Sequence, residues 1–393
     1  MRTHLRNVAL LSSAQALLFT NNVTLIALNG LAGYQLAADK SFATLPVTTQ
    51  IIGSALTAMP ASNLMQKIGR RAGFQLGTLI GFVGAMIATW GIYSHSMVLL
   101  CLGTFVLGIY GAFGQFYRFA AADSAPADFK AKAISLVVAG GLVGGIVGPA
   151  LSKWTRNLAA MEFLASYASL MVFCVLTALL LAGLDIPKPQ IAASDAPARR
   201  LREIASQPVF IVATLSSALG YGVMNFLMTA TPLAMGVCGH PYDSAANVIS
   251  AHVIAMFAPS FFTGSLIQRF GVHKVILTGV AILFGCTAVA LAGITVANFW
   301  WSLVLLGLGW NFMFVGGSTM LTETYRPSER ARAQGFHDLL VFMTTATSSF
   351  ASGLILRANG WTMLNYVAIP FIAVAGAAVL WLALRKPAMA AAE

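Results

Sequence analysis

Polar and titratable side chains that interrupt long apolar runs are where this chain could do chemistry. Four runs hold amides and aromatic rings in helical register. If 8–33 is a helix, Gln15, Phe19, Asn22, Ile26 and Asn29 share one stripe. Tyr221, Asn225, Met228 and Pro232 align within 208–234, and Pro232 permits a kink. Trp310, Asn311, Phe314 and Ser318 align within 299–322, and Tyr110, Phe113, Gly114 and Tyr117 within 97–121. Amides donate and accept hydrogen bonds, and flat rings stack on aromatic walls. Interhelical hydrogen bonding explains the amides equally well, and ordinary packing explains any single ring.

Ionisable groups inside the runs are few: Arg118, His252, His337, Asp338 and Glu323. Arg118 and Glu323 lie within two turns of a run's end, where long side chains snorkel to water. His252 is either a group that titrates near neutral pH or a hydrogen-bonded packing histidine. His337 and Asp338 open the run 336–356, and Asp338 could pair with Arg118 or with loop cations as a gate or protonation site. Enzyme chemistry has no foothold, since neither His-Glu-x-x-His nor G-x-S-x-G occurs. There is no G-x-x-x-x-G-K-[ST] loop to hold a nucleotide. The four cysteines form no CxxC pair, so neither a disulfide framework nor a metal site is expected, and no cofactor.

The elements that must position these residues follow from composition. The chain has 393 residues, of which 58% are hydrophobic and 9% charged, with mean hydropathy +0.80. So much apolar surface cannot be hidden in one water-soluble core. In lipid the backbone must satisfy itself, and the long continuous runs favour helices over the short alternating segments of a barrel. Twelve runs are expected to span: 8–33, 43–65, 73–93, 97–121, 133–152, 162–184, 208–234, 246–267, 275–295, 299–322, 336–356 and 361–384. The polar stretch 185–207 divides them six and six, giving a bundle over 1–184, a linker over 185–207 with a short amphipathic helix, and a second bundle over 208–393. With the N-terminus cytoplasmic, eighteen Lys and Arg fall on the inner side and four (Lys40, Lys153, Arg156 and Arg357) on the outer. Both termini are then inside, in a bacterial inner membrane. The first run lacks a small-residue cleavage site and is expected to be retained as a span. The net charge of +11 sits in short connectors rather than on one face, which speaks for membrane orientation and against nucleic acid.

Two connectors repeat. "SNLMQKIGRR" joins the second and third runs, and "GSLIQRFGVHK" joins the eighth and ninth, about 200 positions later. "APADFKAKA" and "RPSERARA" form a second pair at the same offset. Duplicated six-span halves with these loops resemble the major facilitator superfamily over essentially the whole chain. Its signature G-x-L-x-D-R-x-G-R-R is matched by Leu64, Lys67, Gly69, Arg70 and Arg71, with Ser62 for Gly and Gln66 for Asp. The second copy keeps Gly264, Leu266, Arg269 and Gly271, again with Gln268 for Asp. In that family the Asp helps latch the halves together. Gln cannot supply its charge, so the resemblance implies a weaker or rebuilt latch here.

Gly140, Gly144, Gly148 and Pro149 follow much of the family's antiporter motif, though close helix packing explains them too, and Ser152 and Lys153 replace its closing glycines. The Arg that drug exporters of the family carry in mid span 4 is absent from "CLGTFVLG". The stretches "MTATPLAM", "HVIAMFAPSFFTG" and "GLGWNFMFVGGSTMLTETYRP" resemble a mostly uncharacterised proteobacterial group, some members of which are linked to riboflavin uptake.

The resemblance implies an all-α fold of twelve transmembrane helices in two pseudo-symmetric bundles, with spans 1, 4, 7 and 10 lining a central cavity. Gln15, Phe19, Asn22, Asn29, Tyr110, Tyr117, Tyr221, Asn225, Trp310, Asn311 and Phe314 would then form a neutral, flat-walled site. Such a site suits a planar heteroaromatic or a sugar. It lacks the mid-depth carboxylate a cationic drug wants. The expected function is secondary transport of a small organic solute by alternating access, proton-coupled, with import of a vitamin-like nutrient first and drug or metabolite/proton antiport (efflux) as the alternative. The expected partners are a small-molecule substrate, protons and the lipid bilayer, for a monomer. A channel would need a filter or charge ring instead.

Overall fold

The computed structural model describes residues 2–38, 42, 45–186 and 199–385. Lys40, Lys188, Lys386 and most of the expected linker, 187–198, lie outside them. Among the described residues there is no strand. The helices are α1 (Arg2–Leu36), α2 (Leu45–Ile68), α3 (Arg70–Tyr93), α4 (Met97–Gly114), α5 (Tyr117–Ser124), α6 (Lys130–Ala139), α7 (Gly141–Thr155) and α8 (Leu164–Ala182). After the short α9 (Leu201–Ala205) come α10 (Pro208–Val237), α11 (Tyr242–Phe257), α12 (Ser260–Phe270), α13 (Val272–Leu291), α14 (Val296–Leu321) and α15 (Arg330–Leu384).

Ten helical stretches among the described residues are long and apolar enough to cross a bilayer, making this an all-α, multi-pass membrane protein. An eleventh is the pair Asn247–Phe257 and Ser260–Phe270, bent by 40°. The expected span 246–267 is therefore broken, and Pro259, which cannot donate to the helix ladder, sits at the break. α2 fills the second expected run, yet it falls short in hydropathy because Thr48, Thr49, Gln50, Ser54, Thr57, Ser62, Asn63 and Gln66 dilute it. The last two runs are continuous in α15 except at Gly360, whose φ of 77° breaks the helix.

Two compact units divide the chain. The first comprises Met1–Arg199 and Tyr325–Met343, the second Arg200–Thr324 and Thr344–Glu393. In lipid, apolar side chains gain nothing by leaving water, so helices associate where their backbones can approach closely. The first unit does this through glycine. A Cβ at Gly144 would lie 2.5 Å from Phe19 Cβ, and one at Gly140 would lie 2.2 Å from the Ser12 carbonyl oxygen. The glycine run of α7 is thus the seam on which α1 packs, and Thr24 adds a hydrogen bond to the Gly148 carbonyl at 3.2 Å. Around it Leu25, Leu28, Ala85, Ala88, Leu100, Leu107, Phe163 and Tyr167 form a buried cluster. In the second unit α14 is the buried central helix, packed by α10, α11 and α13. Gly307 and Gly317 of α14 face main chain of α11 and α10 at distances that exclude a Cβ.

Candidate functional site

The second unit gathers aromatic rings from three helices. Trp310 and Phe314, one turn apart on α14, stack with centroids 5.0 Å apart and planes 12° apart. Tyr221 of α10 meets both rings edge-on, each at 5.5 Å. Phe257, at the end of α11, meets Trp310 edge-on at 5.7 Å. Phe257 was not among the expected site residues; the signal was its place two residues before Pro259, where the helix breaks. Trp310, Phe257 and Phe314 are buried, while Tyr221 is partly exposed. The two amides nearby are engaged in bonds between helices. Asn311 donates to the Met256 carbonyl at 2.7 Å and to Ser260 Oγ, and accepts from Thr263 at 2.7 Å. It thereby holds the broken ends of α11 and α12, a structural role in place of the expected solute contact. Asn225 donates to the Thr345 carbonyl at 3.2 Å and Ser348 Oγ at 3.3 Å, tying α10 to α15.

His252 is fully buried on α11, with Nδ1 2.7 Å from the Leu303 carbonyl oxygen. A carbonyl can only accept, so Nδ1 carries the proton and Nε2 bears the lone pair. Nε2 has no hydrogen-bond partner among the described residues.

In the first unit several residues expected at the cavity are drawn into packing. The Tyr110 ring lies where a Cβ on Gly81 of α3 would stand, 2.7 Å away. Tyr117 packs edge-on against Phe74 of α3 at 4.8 Å. Both rings are buried against α3: helical spacing says which residues share a face, not which neighbour that face meets. Asn29 donates to Gln50 Oε1 at 3.1 Å and accepts from the Tyr167 hydroxyl at 2.7 Å, so α1, α2 and α8 are pinned through one amide. Phe19 lies on the Gly144 seam. Gln15 is buried and Asn22 partly exposed on α1. These two remain the α1 amides without an assigned packing bond.

The charged pair of the first unit is buried. Arg118 Nη2 lies 2.5 Å from Asp338 Oδ1, with the two side chains 4% and 3% exposed. Arg118 does not snorkel. Its Nη1 donates to the carbonyl and side-chain oxygens of Gln115 at 2.7 and 2.9 Å, and its guanidinium lies 4.3 Å from the Phe119 ring centroid. His337 meets the Phe119 ring edge-on and stands 3.9 Å from Asp338 Oδ1. Asp338 Oδ2 is buried without a hydrogen-bond partner among the described residues. A carboxylate oxygen left so exposed to low dielectric is costly unless protonated or paired.

The first signature loop belongs to the same unit. Gly69 has φ 91° and ψ 160°, a region only glycine adopts without strain. That turn aims Arg70 inward, where Nη2 reaches Asp123 Oδ2 at 3.0 Å and Gln334 Oε1 at 2.6 Å. Arg330 joins the same Asp123 oxygen at 3.2 Å, and Gln334 donates to the Tyr325 hydroxyl at 2.6 Å. Gln66 donates its amide N–H to the Ser328 carbonyl at 2.7 Å. The acid missing from the signature is thus replaced by a neutral donor, and the charge comes from Asp123, which the sequence reading did not single out. Glu329 is fully buried and accepts from Arg199 at three points, backbone N at 2.9 Å, Nε at 2.8 Å and Nη2 at 2.5 Å. Lys67 and Arg71 are exposed. In the second copy Gly271 repeats the turn, with φ 88° and ψ 150°. Among the described residues Arg269 makes no ion pair and lies 5.3 Å from the Phe270 ring centroid, while Gln268 precedes it on the same helix.

Among curated proteins, the chain is 42% identical over 392 residues to "Riboflavin transporter RfnT" of Brucella anthropi, covering 99% of this chain and 98% of the relative. It is 29% identical over 359 residues to the uncharacterized MFS-type transporter YdeG of Bacillus subtilis, covering 87% of this chain and 84% of that one. Among solved structures, FucP in the outward conformation superposes with a TM-score of 0.79 at 18% identity, covering 97% of this chain and 99% of FucP. The human organic anion transporter MFSD10 gives 0.78 at 11% identity, covering 96% and 100%. These two likenesses speak to the fold. Residues 11–246 and 239–393 match the Major Facilitator Superfamily, and together with the near full-length relative they establish that the chain belongs to this family of membrane transporters.

Proposed function

We propose that this transporter carries riboflavin, or a closely similar planar heteroaromatic solute, into the cell across the bacterial inner membrane. The reading is carried by the 42% identity to a riboflavin transporter along 99% of the chain. The aromatic cluster of the second unit supports it, because the partly exposed Tyr221 ring, backed by Trp310 and Phe314, is a surface on which a flat ring can stack. Transport would proceed by alternating access of two six-span halves, 1–184 and 208–393, with both termini cytoplasmic. Basic residues gather at the α2–α3 junction and around 326–332, the arrangement the positive-inside rule associates with the cytoplasmic side.

Proton coupling would use Asp338. Its charged form holds Arg118. Taking up a proton would weaken that hold and let the segment around 338 separate from α5, so that proton binding and opening are linked.

Labelled riboflavin uptake in cells of a riboflavin auxotroph expressing the chain tests the reading. Saturable uptake that is competed by unlabelled riboflavin and collapsed by a protonophore supports it. Uptake no greater than in cells with an empty vector removes riboflavin as substrate. If Asp338→Asn leaves uptake and its pH dependence unchanged, Asp338 is not the coupling group.

A further inference from the structure

Trp310 is 1% exposed, yet its indole Nε1–H has no hydrogen-bond partner among the described residues. Its neighbours in the cluster are rings, Phe314 stacked on its face and Tyr221 and Phe257 edge-on. Leaving a buried donor unsatisfied forfeits its hydration without compensation. The amide beside it, Asn311, has its donors on Met256 and Ser260 and its acceptor on Thr263, so it cannot answer a ligand. Asn225 is likewise tied to α15. Within the ring cluster the indole N–H is thus a buried donor without a hydrogen-bond partner among the described residues, surrounded by flat apolar surface. Tyr221, the member that is partly exposed, is the ring over which a solute would enter.

We propose that Trp310 is a specificity-determining residue. Its indole N–H donates a hydrogen bond to a ring carbonyl of the carried solute, while Tyr221 and Phe314 supply the surfaces on which the ring system lies. This rests on the riboflavin reading and adds to it the recognised atom, an acceptor oxygen at the edge of a planar heterocycle. A site built to hydrogen-bond one polar atom discriminates against an analogue lacking it far better than an apolar slot does. The rival role for the N–H is a contact with the face of the Tyr221 or Phe257 ring, a weaker bond that no solute would feel.

Trp310→Phe separates the two, because it keeps a ring and removes the donor. Binding to the purified full chain is read by quenching of flavin fluorescence, using riboflavin, 2-thioriboflavin and 4-thioriboflavin as probes. Sulfur accepts hydrogen bonds poorly. The expected result is that one thio analogue binds the wild type more weakly than riboflavin does. Trp310→Phe should weaken riboflavin about tenfold (about 1.4 kcal/mol) and abolish the difference between that analogue and riboflavin. Equal riboflavin binding by wild type and Trp310→Phe overturns the proposal, and so does an undiminished thio difference in the variant. If the wild type binds no flavin at all, the substrate reading itself falls and takes this inference with it. Should the variant not fold, 15N-indole spectra of the wild type decide. One of the seven tryptophan N–H signals moves downfield on saturation with riboflavin if the bond forms. Seven unmoved signals overturn it.

Discussion

The two copies of the signature loop share a backbone and differ in everything the side chains do with it. Gly69 and Gly271 have nearly the same left-handed geometry, φ 91° and 88°. After the glycine, the first copy has Arg70 and the second Val272. Arg70 reaches Asp123 and, through it, Arg330, so the first loop carries a buried network. In the second copy the guanidinium of Arg269, before the glycine, lies on the adjacent Phe270 ring. The duplication thus preserved the turn, a requirement of covalent geometry, while the electrostatic ties depend on single positions. A loop motif read from sequence predicts the turn better than it predicts the network.

The largest effect should come from Asp123→Asn. It leaves Arg70 and Arg330 facing each other without a carboxylate, and losing one partner of a buried ionic set costs about 3–5 kcal/mol. Thermal unfolding in detergent should register that loss, whereas Arg269→Gln in the other copy should stay within about 0.5 kcal/mol of wild type. Similar losses in both would erase the contrast.

Next come Gly69→Ala and Gly271→Ala. Each forces a side chain into a region that costs about 1–3 kcal/mol, so the two should destabilise alike. A large loss at one and none at the other would mean the turns are not equivalent.

Gln66→Asp restores the acid that the family signature carries. Here it removes the N–H that bonds the Ser328 carbonyl, and a stability loss of about 0.5–1.5 kcal/mol is expected. A gain would show that the loop still prefers the charge.

The smallest effect belongs to the exposed tie between α1 and the α7–α8 connector. Glu162 accepts hydrogen bonds from Gln35 and from Arg156, and these bonds hold its pKa below the usual carboxylate value. A carboxylate depressed in the folded state adds stability above its unfolded pKa, near 4.5, and loses it as pH falls through the folded value. Melting curves below pH 5 should show a slight fall that Glu162→Gln removes, since exposed pairs contribute little.

Much of the fold was legible because lipid leaves the backbone few choices. The apolar runs placed the helices. One feature escaped for an identifiable reason. Pro259 broke a run that looked continuous. The candidate site was legible in part. Tyr221, Trp310 and Phe314 do come together, because α10 and α14 pack directly. The contacts of Tyr117, Asn29 and Asn311 within their own units were not legible, because an amide or ring on a buried stripe bonds whichever helix is nearest, and a sequence does not name that helix. The partner of Gln66 was beyond reach for the same reason, being a backbone carbonyl 262 positions away.

Counterflow in proteoliposomes tests the central claim most directly. Vesicles holding the purified chain are loaded with unlabelled riboflavin and diluted into a trace of labelled riboflavin. The account predicts a transient, saturable accumulation of label that is reduced in Trp310→Phe. Label that never rises above the level in protein-free vesicles would contradict it.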